Sequence, residues 1–333
     1  METAELRPLS LGELLDRTFT LYRANFWVFV GIMALPAALG IPATFLLLQV
    51  NSALGITPGS PTPPNPAAIL ALLGWYVLIF AVGSVVYSLV YAIIAAAMTH
   101  AVSEAYLGRN PTIGAAYKSV RGKVWRLFGV ALNVLIRLIG ISILVTMVVG
   151  GVGMLVIGAM TLATRSVAAG ASPAVIGIFV GLMVLALYAM IIAAMVYLAL
   201  RYAVSIQALV LENLGVSASI RRSVQLTRGR RGQVFVAMLL AVIISLVGSM
   251  VFYVPFYIPT MIMISRSHVV PSWLSLLSSM AAAIGSSITG PIFMIVLVLC
   301  YYDTRVRKEA FDLQFMMASL DRAQAAEGTV PSA

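Results

Sequence analysis

Six long apolar runs divide the chain: Phe26 to Val50, Ala67 to Thr99, Leu127 to Thr164, Pro173 to Leu200, Val234 to Ile264 and Trp273 to Tyr302. Each is longer than the roughly 20 helical residues that cross about 30 Å of hydrocarbon. A chain in lipid must satisfy its own backbone hydrogen bonds, which leaves helices or a closed barrel. Runs this long without strict alternation fit helices. The pattern therefore predicts an all-α, polytopic integral membrane protein with six transmembrane helices.

The stretches between the runs have a different period. Ser10-Leu11-Gly12-Glu13 is a capping-box signature for a helix start. Leu11, Leu14, Leu15, Thr18 and Tyr22 then fall on one helical face. Ile113, Ala116, Tyr117, Val120, Val124 and Leu127 repeat that stripe, with Lys118, Arg121, Lys123 and Arg126 on the opposite side. Ser217 to Gln233 is more weakly patterned; it carries Arg221 and Arg222 and ends in Arg228-Gly229-Arg230-Arg231-Gly232. Segments of this kind are expected to lie in the interface plane, apolar face in the acyl boundary and basic face on anionic headgroups.

Composition supports lipid as the solvent. Of 333 residues, 61% are hydrophobic and 10% charged, against roughly 45–50% and about 25% in soluble domains. The mean hydropathy is +1.03. The net charge of +10 would suggest nucleic acid in a soluble protein, but its distribution argues for topology instead. Of the 21 basic residues, 17 lie in the N-terminal arm, the second and fourth connections and the C-terminal tail. Only Arg165 and Arg266 lie on the other face, while Arg137 and Arg201 fall inside apolar runs. By the positive-inside rule both termini are expected to be cytoplasmic. The first 25 residues, with four carboxylates and no apolar core, do not resemble a secretory signal. Cys300 is the single cysteine, so no disulfide forms within the chain.

The other connections are short or charge-free. Asn51 to Pro66 is proline-rich and reads as an extended external loop. Aligning Ser10-Leu11-Gly12 with Thr112-Ile113-Gly114, and Lys118-Ser119-Val120 with Arg222-Ser223-Val224, suggests one unit used three times: an interfacial helix followed by a helical hairpin. The units would be residues 9–108, 111–213 and 216–313 of a single domain spanning 1–313, with 314–333 a cytoplasmic tail. Gly151 and Pro255 then occupy matching positions, and Pro36 and Pro42 interrupt the first hairpin, so broken helices of the kind seen in transporters are expected.

Candidate chemistry is sparse. Arg137 lies ten residues beyond Leu127, about 15 Å along a helix. It is either an intramembrane charge or a snorkelling one. Arg201, followed by Tyr202, ends the fourth run and is expected to reach phosphates. His100 and Glu104, spaced i, i+4, could share a hydrogen bond, yet one pair is not a metal motif. Ser275, Ser278, Ser279, Ala282, Ser286, Thr289 and Gly290 make a small, polar stripe suited to helix packing or to lining a polar path, and Gly177 with Gly181 has small-xxx-small spacing. No nucleotide-binding, zinc-protease or nucleophile-elbow motif occurs; no cofactor and no metal are expected.

Three motifs carry a family resemblance. Arg7-Pro8-Leu9-Ser10-Leu11-Gly12-Glu13-Leu14-Leu15-Asp16 with Leu21-Tyr22-Arg23-Ala24-Asn25-Phe26, then Arg221 to Gly229, and above all Tyr301 to Leu313, resemble the bacterial glycerophosphoryl diester phosphodiesterase membrane domain family. The resemblance implies a bacterial inner-membrane protein. It does not imply hydrolysis, because in family members the catalytic barrel is a separate domain of about 250 residues with a His-Arg-Gly type start, and neither His100 nor His268 is followed by Arg-Gly. The expected function is a non-enzymatic membrane module, accessory to phospholipid metabolism or envelope maintenance, with membrane phospholipids as partners. Arg137, Arg201, Lys118, Arg121, Lys123, Arg126, Arg221, Arg222, Arg228, Arg230 and Arg231 are the candidate lipid contacts. The alternative is a transporter or lipid-translocating protein. A membrane-protein partner or a homo-oligomer is compatible with either; nucleic acid is not expected.

Overall fold

The computed structural model describes residues 9–53, 66–166, 173–267 and 271–309. Among them every regular element is helical: α1 (Leu11–Ala24), α2 (Phe26–Ala53), α3 (Pro66–Tyr106), α4 (Ile113–Val120), α5 (Val124–Ser166), α6 (Pro173–Tyr202), α7 (Ser205–Leu211), α8 (Val216–Thr227), α9 (Arg231–Ser267) and α10 (Ser272–Glu309), with one 3-10 turn joining α4 to α5. Six helices, α2, α3, α5, α6, α9 and α10, are long and apolar enough to cross a membrane. Most of the proline-rich loop and the whole C-terminal tail lie outside the described residues.

Outward faces explain why these helices need lipid. Phe80 is 71% exposed, Met154 80% and Val251 70%, a belt of large apolar side chains that water would not solvate. The inward faces pack by shape. Gly285 of α10 lets Phe252 and the Ser249 carbonyl of α9 approach so closely that an added Cβ would lie 3.3 Å and 3.4 Å from them. Gly248 and Gly290 similarly receive Thr289 and Met33. This is packing by small residues, which takes the place of a hydrophobic driving force in lipid. The α10 serines mostly satisfy themselves: Ser278, Ser279, Ser286 and Ser287 donate to carbonyls of their own helix. Gly177 and Gly181, by contrast, have no neighbour within 4 Å of an added Cβ among the described residues.

The expected helix breaks do not occur. α2 runs unbroken through Pro36 and Pro42, α5 through Gly151, and α9 through Pro255 and Pro259. Proline removes one backbone donor, but apolar surroundings leave the remaining carbonyls no better partner than the helix itself. Signals that punctuate helices in water therefore fail to end them here.

The interfacial segments also differ from expectation. α1 begins with the anticipated capping box: Glu13 N–H donates to Ser10 Oγ at 3.3 Å and Ser10 N–H to Glu13 Oε2 at 2.8 Å. Thr112 caps α4 in the same way, accepting from Ala115 N–H, and Gly215 stands at the start of α8. Their apolar faces, however, turn onto the bundle instead of into acyl chains. Leu14, Thr18 and Leu21 of α1, Ala116 and Val120 of α4, and Ser219, Ile220, Ser223, Leu226 and Thr227 of α8 are buried. α1 packs on α10, α4 on α3, and α8 on α5, α6 and α7. The Tyr117 hydroxyl donates to the Ile32 carbonyl at 2.8 Å, tying α4 to α2. The helices are too long for the hydrocarbon alone. α5, at 43 residues, extends about 65 Å at 1.5 Å per residue, so a bundle end projects beyond the membrane, and these short helices cover it.

α10 is the axis. Of its apolar span 67% is buried, against 17% or less for the other five. Its basic end is anchored by Asp303, only 5% exposed. The Asp303 carboxylate accepts from the Leu9 amide at 2.8 Å and from Arg307 Nε at 2.9 and 3.0 Å, and Arg307 Nη2 donates to the Leu9 carbonyl at 2.7 Å. One carboxylate thus fixes the start of α1 to the last turns of α10. Asp303→Ala leaves the Leu9 amide without its acceptor and the partly buried Arg307 guanidinium with the Leu9 carbonyl alone, and is expected to cost about 3 kcal/mol. It should lower the melting temperature in detergent and expose the N-terminal segment to limited proteolysis; an unchanged melting curve would show that α1 is held by its apolar face alone.

Candidate anion-binding site

At the basic end the guanidinium groups divide into two populations. The first is committed to carboxylates. Arg222 of α8 donates from Nε to both Glu212 oxygens at 3.0 and 2.9 Å and pairs through Nη1 with Glu309. Glu309 also pairs with Arg305 one turn earlier at 3.2 Å. The Tyr301 hydroxyl donates to Glu212 at 2.7 Å. The Glu309 carboxylate, followed by Glu212, holds the Arg222 guanidinium further above its ordinary pKa. Arg222, nominated as a lipid contact, is therefore occupied inside the protein. Lys123 and Arg126 bond to neutral acceptors: Lys123 Nζ, half-buried, donates to the Val210 carbonyl at 2.9 Å, and exposed Arg126 donates to Asn213 Oδ1 at 3.2 Å.

The second population has no carboxylate among the described residues. Arg137 of α5, Arg201 of α6 and Arg221 of α8 line one cavity of about 360 Å³ with Asn133, Ser217 and Gln225. Tyr202 arranges two of the three. Its hydroxyl accepts from Arg137 Nη1, and its ring lies 5.3 Å from the Arg137 guanidinium carbon and 5.8 Å from that of Arg201. α8 is brought alongside by Ser223, whose hydroxyl donates to the Arg201 carbonyl at 3.0 Å. Two polar atoms of the lining, Arg201 Nε and Asn133 Oδ1, are buried with no hydrogen-bond partner. Such groups carry a desolvation cost until something pairs with them. The cavity thus gathers guanidinium groups at a single place; Arg201 Nε and Asn133 Oδ1 themselves are sealed from it, and a ligand pairs with them once those side chains turn.

Arg137 lies level with the C-terminal end of α6, since it reaches Tyr202, and the rest of α5 runs on to Ser166. A second cavity of about 360 Å³ is lined by Tyr202 together with residues of α3, α5, α6, α7, α9 and α10. Its wall is mainly apolar and includes Ala92, Ala95, Ala131 and Ala203, along with the buried Gln207 amide, whose Oε1 has no hydrogen-bond partner among the described residues. Tyr87, 67% exposed, and Tyr91 stand at its lipid-facing side. A third cavity, about 430 Å³, shares Tyr87 and Tyr91 and is lined by Ser279 and Ser286 of the α10 stripe.

The remaining nominated residues are spread around this end. Lys118, Arg121, Arg228 and Arg230 are exposed; Arg230 donates to Gln233 at 3.1 Å. Arg231 lies over the Tyr197 ring at 5.1 Å. The structure does not pair His100 with Glu104: Glu104 accepts from Arg109 at 3.1 Å, and no group of three metal-ligating side chains occurs among the described residues. Sequence reasoning missed Asn133 and the carboxylate network. The network had a readable signal in the i, i+4 pairs Asp303/Arg307 and Arg305/Glu309; Asn133, a lone amide in an apolar run, had little.

Residues 175–317 match the family of the membrane domain of glycerophosphoryl diester phosphodiesterase. The motifs at 221–229 and 301–313 fall inside the match, and the opening motif falls outside it. No curated protein and no solved structure matches the chain.

The two kinds of ion pair predict different sensitivities. Glu212→Ala leaves partly buried Arg222 with Glu309 alone and takes the acceptor from the Tyr301 hydroxyl, and is expected to cost about 2–3 kcal/mol. Glu104→Ala removes an exposed pair worth under about 1 kcal/mol. Melting curves in the same detergent should separate the two variants; equal shifts would mean that the Glu212 network is not structural.

Proposed function

We propose that this chain is a non-enzymatic integral membrane module that engages anionic phospholipid in the cytoplasmic leaflet, as an accessory to phospholipid metabolism or envelope maintenance. The observation that carries the reading is the cavity of Arg137, Arg201 and Arg221, three guanidinium groups gathered without a carboxylate among the described residues. Like charges held together repel, and an anion that reaches all three turns that cost into charge-assisted hydrogen bonds. The family match supports the same chemistry, since glycerophosphodiesters, the compounds in that family's name, carry the phosphodiester of phospholipid headgroups. Lys118, Arg121, Arg228 and Arg230 add an exposed basic rim that attracts an anionic surface at about 1 kcal/mol per residue.

A second reading, lipid translocation, is favoured by one observation. Tyr202, which lines the second cavity, is hydrogen-bonded to Arg137 of the first, and the second and third cavities share Tyr87 and Tyr91. It no longer draws on broken helices.

Native mass spectrometry from mixed phosphatidylglycerol and phosphatidylcholine tests the first reading. Phosphatidylglycerol should be retained preferentially, and Arg137→Ala/Arg201→Ala/Arg221→Ala should weaken retention at least about tenfold, or about 1.4 kcal/mol. Lys118→Ala/Arg121→Ala should have the smaller effect. Equal retention of the two lipids would sink the proposal.

A further inference from the structure

Resting on that reading, we infer that the site takes one whole lipid molecule: an anionic glycerophospholipid with a free hydroxyl near its phosphate, head in the arginine cavity and one acyl chain in the apolar cavity beyond Tyr202.

Tyr202 has a different role on each side. Its ring forms part of the wall of the apolar cavity, while its hydroxyl accepts from Arg137 of the arginine cavity. A ligand that fills both spaces must be apolar at one end, anionic at the other, and change character over the thickness of one side chain. A phospholipid does this at its glycerol. An inorganic anion would leave the apolar cavity unexplained, and a hydrocarbon would leave the arginines unpaired.

The apolar side fits a chain. Its volume of about 360 Å³ is far above the roughly 10–15 Å³ that a single water needs on the same measure. Alanines on α3, α5 and α6 keep it open; larger side chains there would close it. The exposed tyrosines at its mouth face the lipid belt, so a chain can enter sideways from the membrane without first passing through water.

The polar side specifies the head. Arg201 Nε is a buried donor that needs an acceptor, which a phosphate oxygen supplies. Asn133 Oδ1 is a buried acceptor that needs a donor, and phosphate at neutral pH has few to give. A hydroxyl next to the phosphate satisfies it. The pair of unsatisfied atoms therefore favours a headgroup or glycerol carrying both functions over a bare phosphate monoester.

The test uses the full-length protein in a neutral detergent and four probes: 1-lauroyl lysophosphatidate, dodecyl phosphate, glycerol 3-phosphate and inorganic phosphate. Binding is followed by thermal shift and native mass spectrometry. Lysophosphatidate is expected to bind at least about tenfold more tightly than glycerol 3-phosphate and about threefold or more tighter than dodecyl phosphate. Ala131→Leu and Ala203→Leu, which fill the apolar cavity, should weaken lysophosphatidate about tenfold and leave glycerol 3-phosphate unchanged. Arg221→Ala, on an exposed position, should weaken both. Asn133→Ala should abolish the preference for lysophosphatidate over dodecyl phosphate. The melting temperature without probe reports whether each variant folds, and either alanine site suffices.

Three results would overturn the inference, and they differ in what else they remove. Equal affinity for lysophosphatidate and glycerol 3-phosphate, with no effect of either cavity-filling variant, leaves a headgroup contact alone and preserves the proposed function. Inorganic phosphate competing as well as the lipid makes this a free-phosphate site. Binding that is indifferent to Arg221→Ala and to Arg137→Ala removes the arginine cavity from both readings.

Discussion

A carboxylate inside an apolar helix bundle is tolerated only where cations and amides surround it, and in this protein that requirement organises one whole end of the fold. Asp303 lies at the end of a helix, α10, that is buried over most of its span, and it draws in Arg307 and the Leu9 backbone. Glu309 and Glu212 draw in Arg222 and Arg305. These contacts join α1, α8 and the α7–α8 turn to the axis. The short helices are thereby placed over the projecting bundle end, and the position of α8 in turn sets where Arg221 stands.

That chain of dependence explains why the basic residues do not form one class. An arginine is weakly hydrated and offers a planar fork of donors, so it is tolerated in partly buried positions when an acceptor is at hand. Arg222, Arg305 and Arg307 have found acceptors inside the protein. Arg137, Arg201 and Arg221 are brought together by the same scaffold, through Ser223 and Tyr202, with no carboxylate supplied. Other arginines of this end, Arg126 and Arg230 among them, also have no carboxylate among the described residues, but these three line one cavity together, and that calls for a ligand.

The helices were legible in the sequence because a long apolar run in lipid has few alternatives; six spans could be placed without knowing a single contact. The capping box at Ser10 was equally readable, being local. Two kinds of information were not. Whether an amphipathic stripe such as Ala116, Val120 and Leu127 faces acyl chains or protein depends on what lies above the membrane plane, and the hydropathy of the stripe is the same in either case. Whether Arg222 is free depends on Glu212 and Glu309, the second of them 87 positions away, and composition gives no hint of that pairing. Proline misled for a related reason: its effect on a helix in water does not carry over to a span whose carbonyls have nothing else to bond.

Tyr202 shows how a site can form at the boundary between two solvents. A phenol is an amphipathic side chain, its ring at home among alanines and its hydroxyl among guanidinium groups. Placed at the last turn of α6, where the apolar span gives way to the charged end, it can serve both cavities without leaving a polar atom unsatisfied. Arg201 beside it cannot, because one face of its guanidinium is taken by the ring and its Nε is buried without an acceptor. A purely structural arginine at a membrane edge would be expected to extend toward solvent and hydrate fully. Holding it short, against an aromatic ring and beside two more arginines, costs solvation energy that no internal contact returns. Arg231 shares the buried, unpartnered Nε against a tyrosine ring; what sets Arg201 apart is the cavity it lines with Arg137 and Arg221, and that is the physical reason to look for an anion at this position.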